Sequence, residues 1–217
     1  MALKLILGNK NYSSWSLRPW IAMRHAGLDF EEEVIPLYEP GSREKVLTYS
    51  PAGKVPVLID DGIPIWESLA ILEHLAEKYP KAALWPADAV ARAHGRAIAA
   101  EMHAGFGALR GHCPMNMRRR RRKLGLTPEV AEDVRRIEVI WTDSRTRFGA
   151  AGPFLLGPFS VADAMYAPIV SRFFSYDIGV GASAEAYMAT MMSLPAWKEW
   201  EAAGEREPWV MPGNERD

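Results

Sequence analysis

Short apolar runs and helix-type stretches alternate along roughly the first eighty residues of the chain. Helical patterns occupy residues 16–27 and 67–79, and β-type runs occupy residues 3–7, 30–37, 55–59 and 63–66. The last two β-type runs flank Asp61 and Gly62, a dipeptide that favours a tight hairpin. The pattern therefore predicts an α/β domain with the order β, α, β, loop, β, β, α.

From about residue 88 the β-type pattern is lost, and alanine-rich helical stretches such as residues 89–109 take over. Thr127 and Pro128 are typical of a helix start, and apolar residues then recur at helical spacing at Val130, Val134, Ile137 and Trp141. Ser160 and Asp163 have the spacing of a capping box. A last short helix is predicted from Pro195 to about Gly204.

These patterns divide the chain into two domains of different fold class. We predict an α/β domain over residues 1–80 and an all-helical domain over residues 88–217. Residues 81–87, which follow Pro80 and contain Pro86, are predicted to be the linker.

Composition places the chain among soluble globular proteins, with 217 residues of which 48% are hydrophobic and 24% charged. The 26 basic and 27 acidic side chains give a net charge of −1, so we expect no nucleic-acid partner. No apolar stretch has the length of a membrane helix or a signal peptide. We therefore expect a cytoplasmic protein without a membrane partner.

Cysteine and histidine usage argues against metal and disulfide chemistry. The single cysteine, Cys113, excludes an intramolecular disulfide, a CxxC pair and an all-thiolate metal site. The five histidines show no paired spacing with a carboxylate ligand, so no metal is predicted.

One basic block, Arg118 to Lys123, stands out from the otherwise mixed charges. Five consecutive arginines would surround a helix rather than form a stripe, and no aromatic residue alternates with them. We interpret the block as a solvated helix end and not as a nucleic-acid site.

The first candidate for chemistry is the polar segment between the first β-type run and the first helix. It contains Ser13, Ser14 and Ser16. Ligands of such sheets lie at the carboxyl ends of strands, and a helix N-terminus stabilises an anion. Any one of these serines could equally be the N-cap of the helix.

Two further candidates precede the last strand pair and the following helix. Pro56 follows Lys54 and Val55 at the start of an apolar strand, a position where proline occurs mainly at a sheet edge or a special turn. The backbone of Val55 could there pair with an extended peptide ligand. Glu67 could accept hydrogen bonds from an ammonium group, and Ser68 with the helix amides could bind a carboxylate. Simple helix capping is the alternative for this pair.

Together, and in this order, the three motifs resemble the glutathione transferase family. Residues 154–163 are also similar to the capping-box segment in that family's helical domain. Tyr12-Ser-Ser-Trp-Ser16 most resembles the serine-dependent, zeta-like branch, with Trp15 where that branch has a cysteine. The resemblance covers essentially the whole chain.

The resemblance implies a thioredoxin-like first domain, a helical second domain, glutathione as co-substrate and a homodimer. It implies that Ser13, or else Ser14, faces the glutathione sulfur, and that the Val55–Pro56 peptide bond is cis. Val55 would pair with the cysteinyl unit, and Lys54 could reach the glycine carboxylate. Glu67 and Ser68 would hold the γ-glutamyl head.

A serine hydroxyl is too weak a base to deprotonate a thiol, so its expected role is to donate a hydrogen bond to the thiolate. The main expectation is transfer of glutathione to a small electrophile. The alternatives are a maleylacetoacetate-type cis–trans isomerase and a non-catalytic binding protein of the same fold. The electrophile is expected between the domains, near Met102, His103, Phe106, Arg110, Met115, Met117 and Tyr166.

Overall fold

The computed structural model describes residues 3–216, which begin with a four-stranded mixed sheet. Its strands are β1 (Leu3–Leu7), β2 (Phe30–Val34), β3 (Val57–Asp60) and β4 (Ile63–Trp66), in the spatial order β2-β1-β3-β4. β1 and β2 run parallel, whereas β1 with β3 and β3 with β4 are antiparallel. The predicted order of strands and helices over this part of the chain is confirmed, except that a short helix occupies part of the predicted loop.

Alternation along the central strand places apolar side chains on both faces of the sheet. Leu3, Leu5 and Leu7 join the main core with α1 (Ser14–His25) and α3 (Ser68–Lys78). Ile6 points to the other face, into a smaller core with Val46 of α2 (Ser42–Leu47). The sequence pattern predicts a loop where α2 lies, because a helix of six residues is too short to show helical periodicity.

Two strands are shorter than the pattern predicted. β2 ends at Val34 rather than at residue 37, since Pro36 has no N–H to continue the ladder. β3 begins at Val57 rather than at residue 55, because Pro56 precedes it with a cis peptide bond and likewise cannot donate.

From Ala89 onward, the described chain is helical apart from short turns and irregular connections. The helices are α4 (Ala89–Ala104), α5 (Gly107–His112), α6 (Pro128–Phe148), α7 (Val161–Ser175), α8 (Ala182–Ser193) and α9 (Pro195–Arg206). The predicted starts of α6 at Thr127 and of α9 at Pro195 are confirmed, and the four spaced apolar residues of α6 are buried. The fold class, a thioredoxin-like sheet part followed by an all-helical part, agrees with the prediction.

The stretch over residues 89–109 is two helices rather than one. The chain leaves the helical path at Gly105, and Phe106 adopts a left-handed conformation with a φ of 59°. A Cβ on Gly105 would lie 2.8 Å from the carbonyl oxygen of Glu101, so only glycine fits this turn.

Helix α7 is the central helix of the helical part and is buried along almost its whole length. Its N-terminus has the predicted capping box: Asp163 accepts hydrogen bonds from the Ser160 N–H at 2.8 Å and the Ser160 hydroxyl at 2.9 Å. Asp163 also accepts from the Leu155 N–H at 3.0 Å, which ties the preceding loop to the helix.

The arginine block is not a helix end. Residues 118–123 lie in an irregular segment between α5 and α6, and Arg118 forms hydrogen bonds with Tyr12 and with backbone carbonyls near the C-terminus. The prediction of a helix was wrong because periodicity carries no information in a run of identical residues.

Residues 3–216 contain neither a membrane-spanning helix nor a cluster of metal-binding side chains. None of their helices has the length and apolar character to cross a membrane. Nor do these residues contain a cluster of three or more histidine, cysteine or acidic side chains that could hold a metal ion.

Candidate functional site

The segment joining β1 to α1 is a tight turn, which we call the serine loop (residues 9–13). The Asn9 carbonyl accepts hydrogen bonds from the N–H groups of Tyr12 at 3.1 Å and Ser13 at 2.8 Å. This closure leads the chain from the carboxyl end of the strand directly into α1, as the sequence predicted.

Ser13 is the N-cap of α1, and its hydroxyl is linked to a second, fully buried serine. The hydroxyl oxygens of Ser13 and Ser16 lie 2.8 Å apart, and the Ser16 N–H donates to Ser13 Oγ at 3.4 Å. The Gly8 N–H donates to Ser16 Oγ at 3.0 Å. Both the capping role and the candidate role of Ser13 are therefore compatible with its position.

A groove of about 730 Å³ opens beside the serine loop. Ser13 and Ser14 form part of one wall, Lys54 and Val55 form part of another, and Met211 of the C-terminal tail (residues 207–216) borders it. The predicted thiolate-binding serines and the predicted peptide-binding strand end therefore line the same groove.

An adjoining pocket of about 290 Å³ brings together the remaining predicted glutathione-site residues. Val55, Pro56, Glu67 and Ser68 line it together with Lys54, Trp15 and Arg110. The Val55–Pro56 bond is cis, as the resemblance implied. Within residues 3–216, neither the N–H nor the carbonyl of Val55 forms a hydrogen bond, so this strand end has backbone groups free for a ligand.

The turn from β4 into α3 has two unusual features. Glu67 has a φ of 69°, a left-handed conformation that is rare for a residue with a side chain. The Ser68 hydroxyl is completely buried and has no hydrogen-bond partner among the described residues. A buried hydroxyl without a partner at a helix N-terminus suits an anionic ligand group.

A third pocket, of about 380 Å³, lies between the sheet part and the helical part. Ser14, Trp15, Arg110, Met115 and Arg172 are among the residues that line it. The expected electrophile site between the two parts of the chain therefore has a cavity available.

Three arginines, which we call the arginine cluster (Arg18, Arg110 and Arg172), surround this interdomain region. None of them forms a salt bridge within residues 3–216. Arg18 lies over the Trp15 ring at 4.1 Å, and Arg110 at 4.9 Å. Burial lowers the pKa of all three guanidinium groups, and the neighbouring arginines lower the pKa values of Arg18 and Arg172 further. All three guanidinium groups donate to backbone carbonyls instead. The cluster is therefore a concentration of positive charge that is paired with no carboxylate among the described residues.

The predicted electrophile-site residues divide into two groups. Arg110 and Met115 line the third pocket. His103 lines none of the three cavities, although its ring lies 5.2 Å from that of Trp15, which borders all three. The other four residues are buried in the core and line none of these three cavities: Met102, Phe106, Met117 and Tyr166.

Tyr166 illustrates why periodicity could not separate core from pocket. Its hydroxyl donates to the Ile98 carbonyl at 3.2 Å, and burial raises its pKa. Sequence reasoning also missed Arg18, Arg172 and the C-terminal tail. The available signal for Arg172 was that it is the one basic residue in the mostly apolar α7.

Comparison with known proteins gives the following similarities. Residues 12–78 match the family described as glutathione S-transferase, N-terminal domain. A probable maleylacetoacetate isomerase of Caenorhabditis elegans is 39% identical over 94 residues, which is 43% of this chain and 44% of that protein. A zeta-class glutathione S-transferase of Euphorbia esula is 40% identical over 86 residues, or 39% of this chain and 38% of that protein.

The fold is also that of a solved structure over nearly the whole chain. A glutathione transferase homologue from Burkholderia gl BGR1, with bound glutathione, has a TM-score of 0.73 at 21% identity. The match covers 95% of this chain and 100% of that one. By sequence, the matched segments span less than half the length of the two curated relatives.

Proposed function

Because residues 12–78 match the family described as glutathione S-transferase, N-terminal domain, we propose that this protein binds glutathione and transfers it to a small electrophile. The observation that carries the proposal is the set of unpaired groups in one site. Among residues 3–216, the Val55 backbone and the Ser68 hydroxyl have no hydrogen-bond partner, and both lie in the pocket that Glu67 borders.

These groups match the chemistry of the tripeptide part by part. The Val55 N–H and carbonyl pair with the cysteinyl backbone as an added strand would. Ser68 and the first amides of α3 bind the γ-glutamyl carboxylate, and Glu67 binds the ammonium group. Lys54, at the junction of the groove and the pocket, takes the glycine carboxylate.

Ser13 then donates a hydrogen bond from its hydroxyl group to the thiolate. In the structure the Ser13 hydroxyl donates to Ser16 Oγ, which also accepts from the Gly8 N–H. When the Ser13 hydroxyl turns to the sulfur, the Ser16 hydroxyl can rotate and donate to Ser13 Oγ in its place. A charge-assisted bond is worth roughly 1.5 to 3 kcal/mol, enough to lower a thiol pKa of about 8.5 by one to two units. The thiolate attacks an electrophilic carbon, the new C–S bond forms, and the leaving group departs with its electron pair.

Calorimetric titration with reduced glutathione, combined with thiolate absorbance as a function of pH, tests this proposal. We expect Ser13→Ala to bind S-methylglutathione like the wild type but to leave the thiol pKa of bound glutathione near its free value. If Ser14→Ala has this effect instead, the role belongs to Ser14. Absence of glutathione binding at millimolar concentration would overturn the proposal, and glutathione binding without turnover would favour a non-catalytic binding protein.

Maleylacetoacetate-type isomerisation is the second candidate, and the arginine cluster favours it. A substrate with carboxylates would neutralise charge that Arg110 and Arg172 bring to the interdomain pocket. The thiolate would add to a cis double bond, the resulting single bond would rotate, and elimination would return the thiolate and the trans product.

Two electrophiles separate the candidates. We expect a maleyl substrate to isomerise without net consumption of glutathione, and Arg172→Met to raise its KM at least tenfold while KM for a neutral aryl halide changes little. Equal effects on both substrates would argue against a carboxylate-binding role for the cluster.

The homodimer and the cytoplasmic location stay predictions, which sedimentation analysis and cell fractionation test.

A further inference from the structure

The C-terminal tail lies against the serine loop, far away in sequence. Helix α9 ends at Arg206, and Glu207 is extended, with φ −62° and ψ 135°, because it precedes Pro208. Gly204 of α9 packs directly on the loop backbone: a Cβ there would lie 3.1 Å from the Asn11 nitrogen. The chain therefore leaves the helix at the point where it reaches the loop.

Glu207 occupies the open side of the loop turn. Its carboxylate accepts hydrogen bonds from the N–H groups of Lys10 at 2.6 Å and Asn11 at 2.9 Å. These two residues are the central positions of the turn that the Asn9 carbonyl closes, and both are buried. Their amides would otherwise be buried without partners.

Arg118 fixes the tail in the same place. Its guanidinium donates to the Glu207 carbonyl at 2.7 Å, to the Trp209 carbonyl at 2.6 Å and to the Tyr12 hydroxyl at 2.6 Å. Its backbone N–H donates to Asn11 Oδ1 at 2.8 Å. The first arginine of the block thus connects the tail with the loop and is not a free surface charge.

We propose that Glu207 is a positioning residue that holds the serine loop, and through it the Ser13 hydroxyl, in the geometry that stabilises the glutathione thiolate. The inference rests on the proposed glutathione chemistry and assigns the C-terminal tail a role in it. A hydrogen bond to a thiolate weakens steeply when donor and acceptor are misaligned, and small displacements at a reacting centre lower rates strongly. Glu207 lines none of the three cavities described above, so its proposed role is to position the loop and not to contact a substrate.

The test measures the thiol pKa of bound glutathione in folded variants. We expect Glu207→Ala and Glu207→Gln to raise that pKa by about half to one unit and to lower kcat about threefold to tenfold. Binding of S-methylglutathione, which has no thiolate, should change less than twofold. Glu205→Gln is the matched control, because Glu205 lies on the same helix end and pairs only with the exposed Arg120 within residues 3–216.

The outcomes are distinguishable. If Glu207 contributes only to folding, its variants will unfold at lower temperature while the thiol pKa and kcat per folded molecule stay at wild-type values, which overturns the inference alone. Glu207→Gln keeps the side-chain shape, so it decides the question even if Glu207→Ala does not fold. If the wild type itself does not lower the thiol pKa, the proposed function fails and the inference fails with it.

Discussion

Oε2 of Glu67 lies 3.6 Å from Nε2 of His103, and this contact joins the turn before α3 to helix α4 of the helical part. Burial lowers the pKa of His103, and the nearby Arg18 lowers it further. At neutral pH His103 is therefore mostly uncharged and leaves the Glu67 carboxylate free to pair with a ligand cation. The geometry suits an ammonium group held between the two parts of the chain.

Replacing Glu67 with glutamine should weaken glutathione binding ten- to hundredfold, since one charge-assisted interaction of about 1.5 to 3 kcal/mol is lost. Calorimetric titration measures the change. Glu73→Gln is the control, because Glu73 lies on the same helix but pairs with Arg96 outside the site. Equal affinity of Glu67→Gln and the wild type would remove Glu67 from the binding site.

The capping box of α7 should contribute measurably to stability. We expect Ser160→Ala to lower the free energy of unfolding by about 1 to 2 kcal/mol, because the buried Asp163 carboxylate loses the hydrogen bond that the Ser160 hydroxyl donates to it. Urea unfolding measures the effect, with Ser193→Ala at an exposed position as the control. A loss no larger than that of the control would show that water replaces the cap.

Glu33 predicts a specific pH dependence of stability. Hydrogen bonds lower the pKa of Glu33 to about 2, and the bond from Lys4 has a larger effect than the bond from Lys45. Because the unfolded chain binds this proton at higher pH than the folded protein does, the stabilisation is complete above about pH 4.5 and is lost as the pH falls toward 2. The stability difference between wild type and Glu33→Gln should therefore be larger at pH 7 than at pH 3.

Urea titrations of both proteins at the two pH values measure this difference. Glu31→Gln provides the control, because Glu31 is exposed and forms no salt bridge within the described residues. A difference for Glu33 that stays constant with pH would contradict the lowered pKa.

Cys113 should be unreactive in the folded protein. It is fully buried, and burial raises the pKa of its thiol to about 11. At pH 8, thiol labelling of the native protein should be more than about a hundredfold slower than labelling of the urea-unfolded chain. Rapid labelling of one thiol in the native state would show that the segment around Cys113 opens.

The local parts of the site were predictable because each motif is read over a few residues. Glu67 and Ser68 lie at the start of α3 as expected, whereas α1 begins two residues before the predicted Ser16 and β3 begins only after Val55–Pro56. Met102 and Tyr166 were placed in the electrophile pocket, yet both lie in the core. Helical spacing shows that such residues share a buried face, but not whether that face meets protein or a cavity.

The sequence by itself determined the order of the strands and helices of the sheet part except α2, the helix starts at Thr127 and Ser160, and the motifs of the proposed glutathione site. Hydrophobic periodicity and turn-forming residues are properties of neighbouring positions in the chain. They can therefore be recognised without knowing how the rest of the chain folds. Only the tertiary structure decided that Glu207 contacts Lys10 and that Arg110 and Arg172 share a pocket. Such pairings depend on how helices pack across the sheet, which no local pattern encodes.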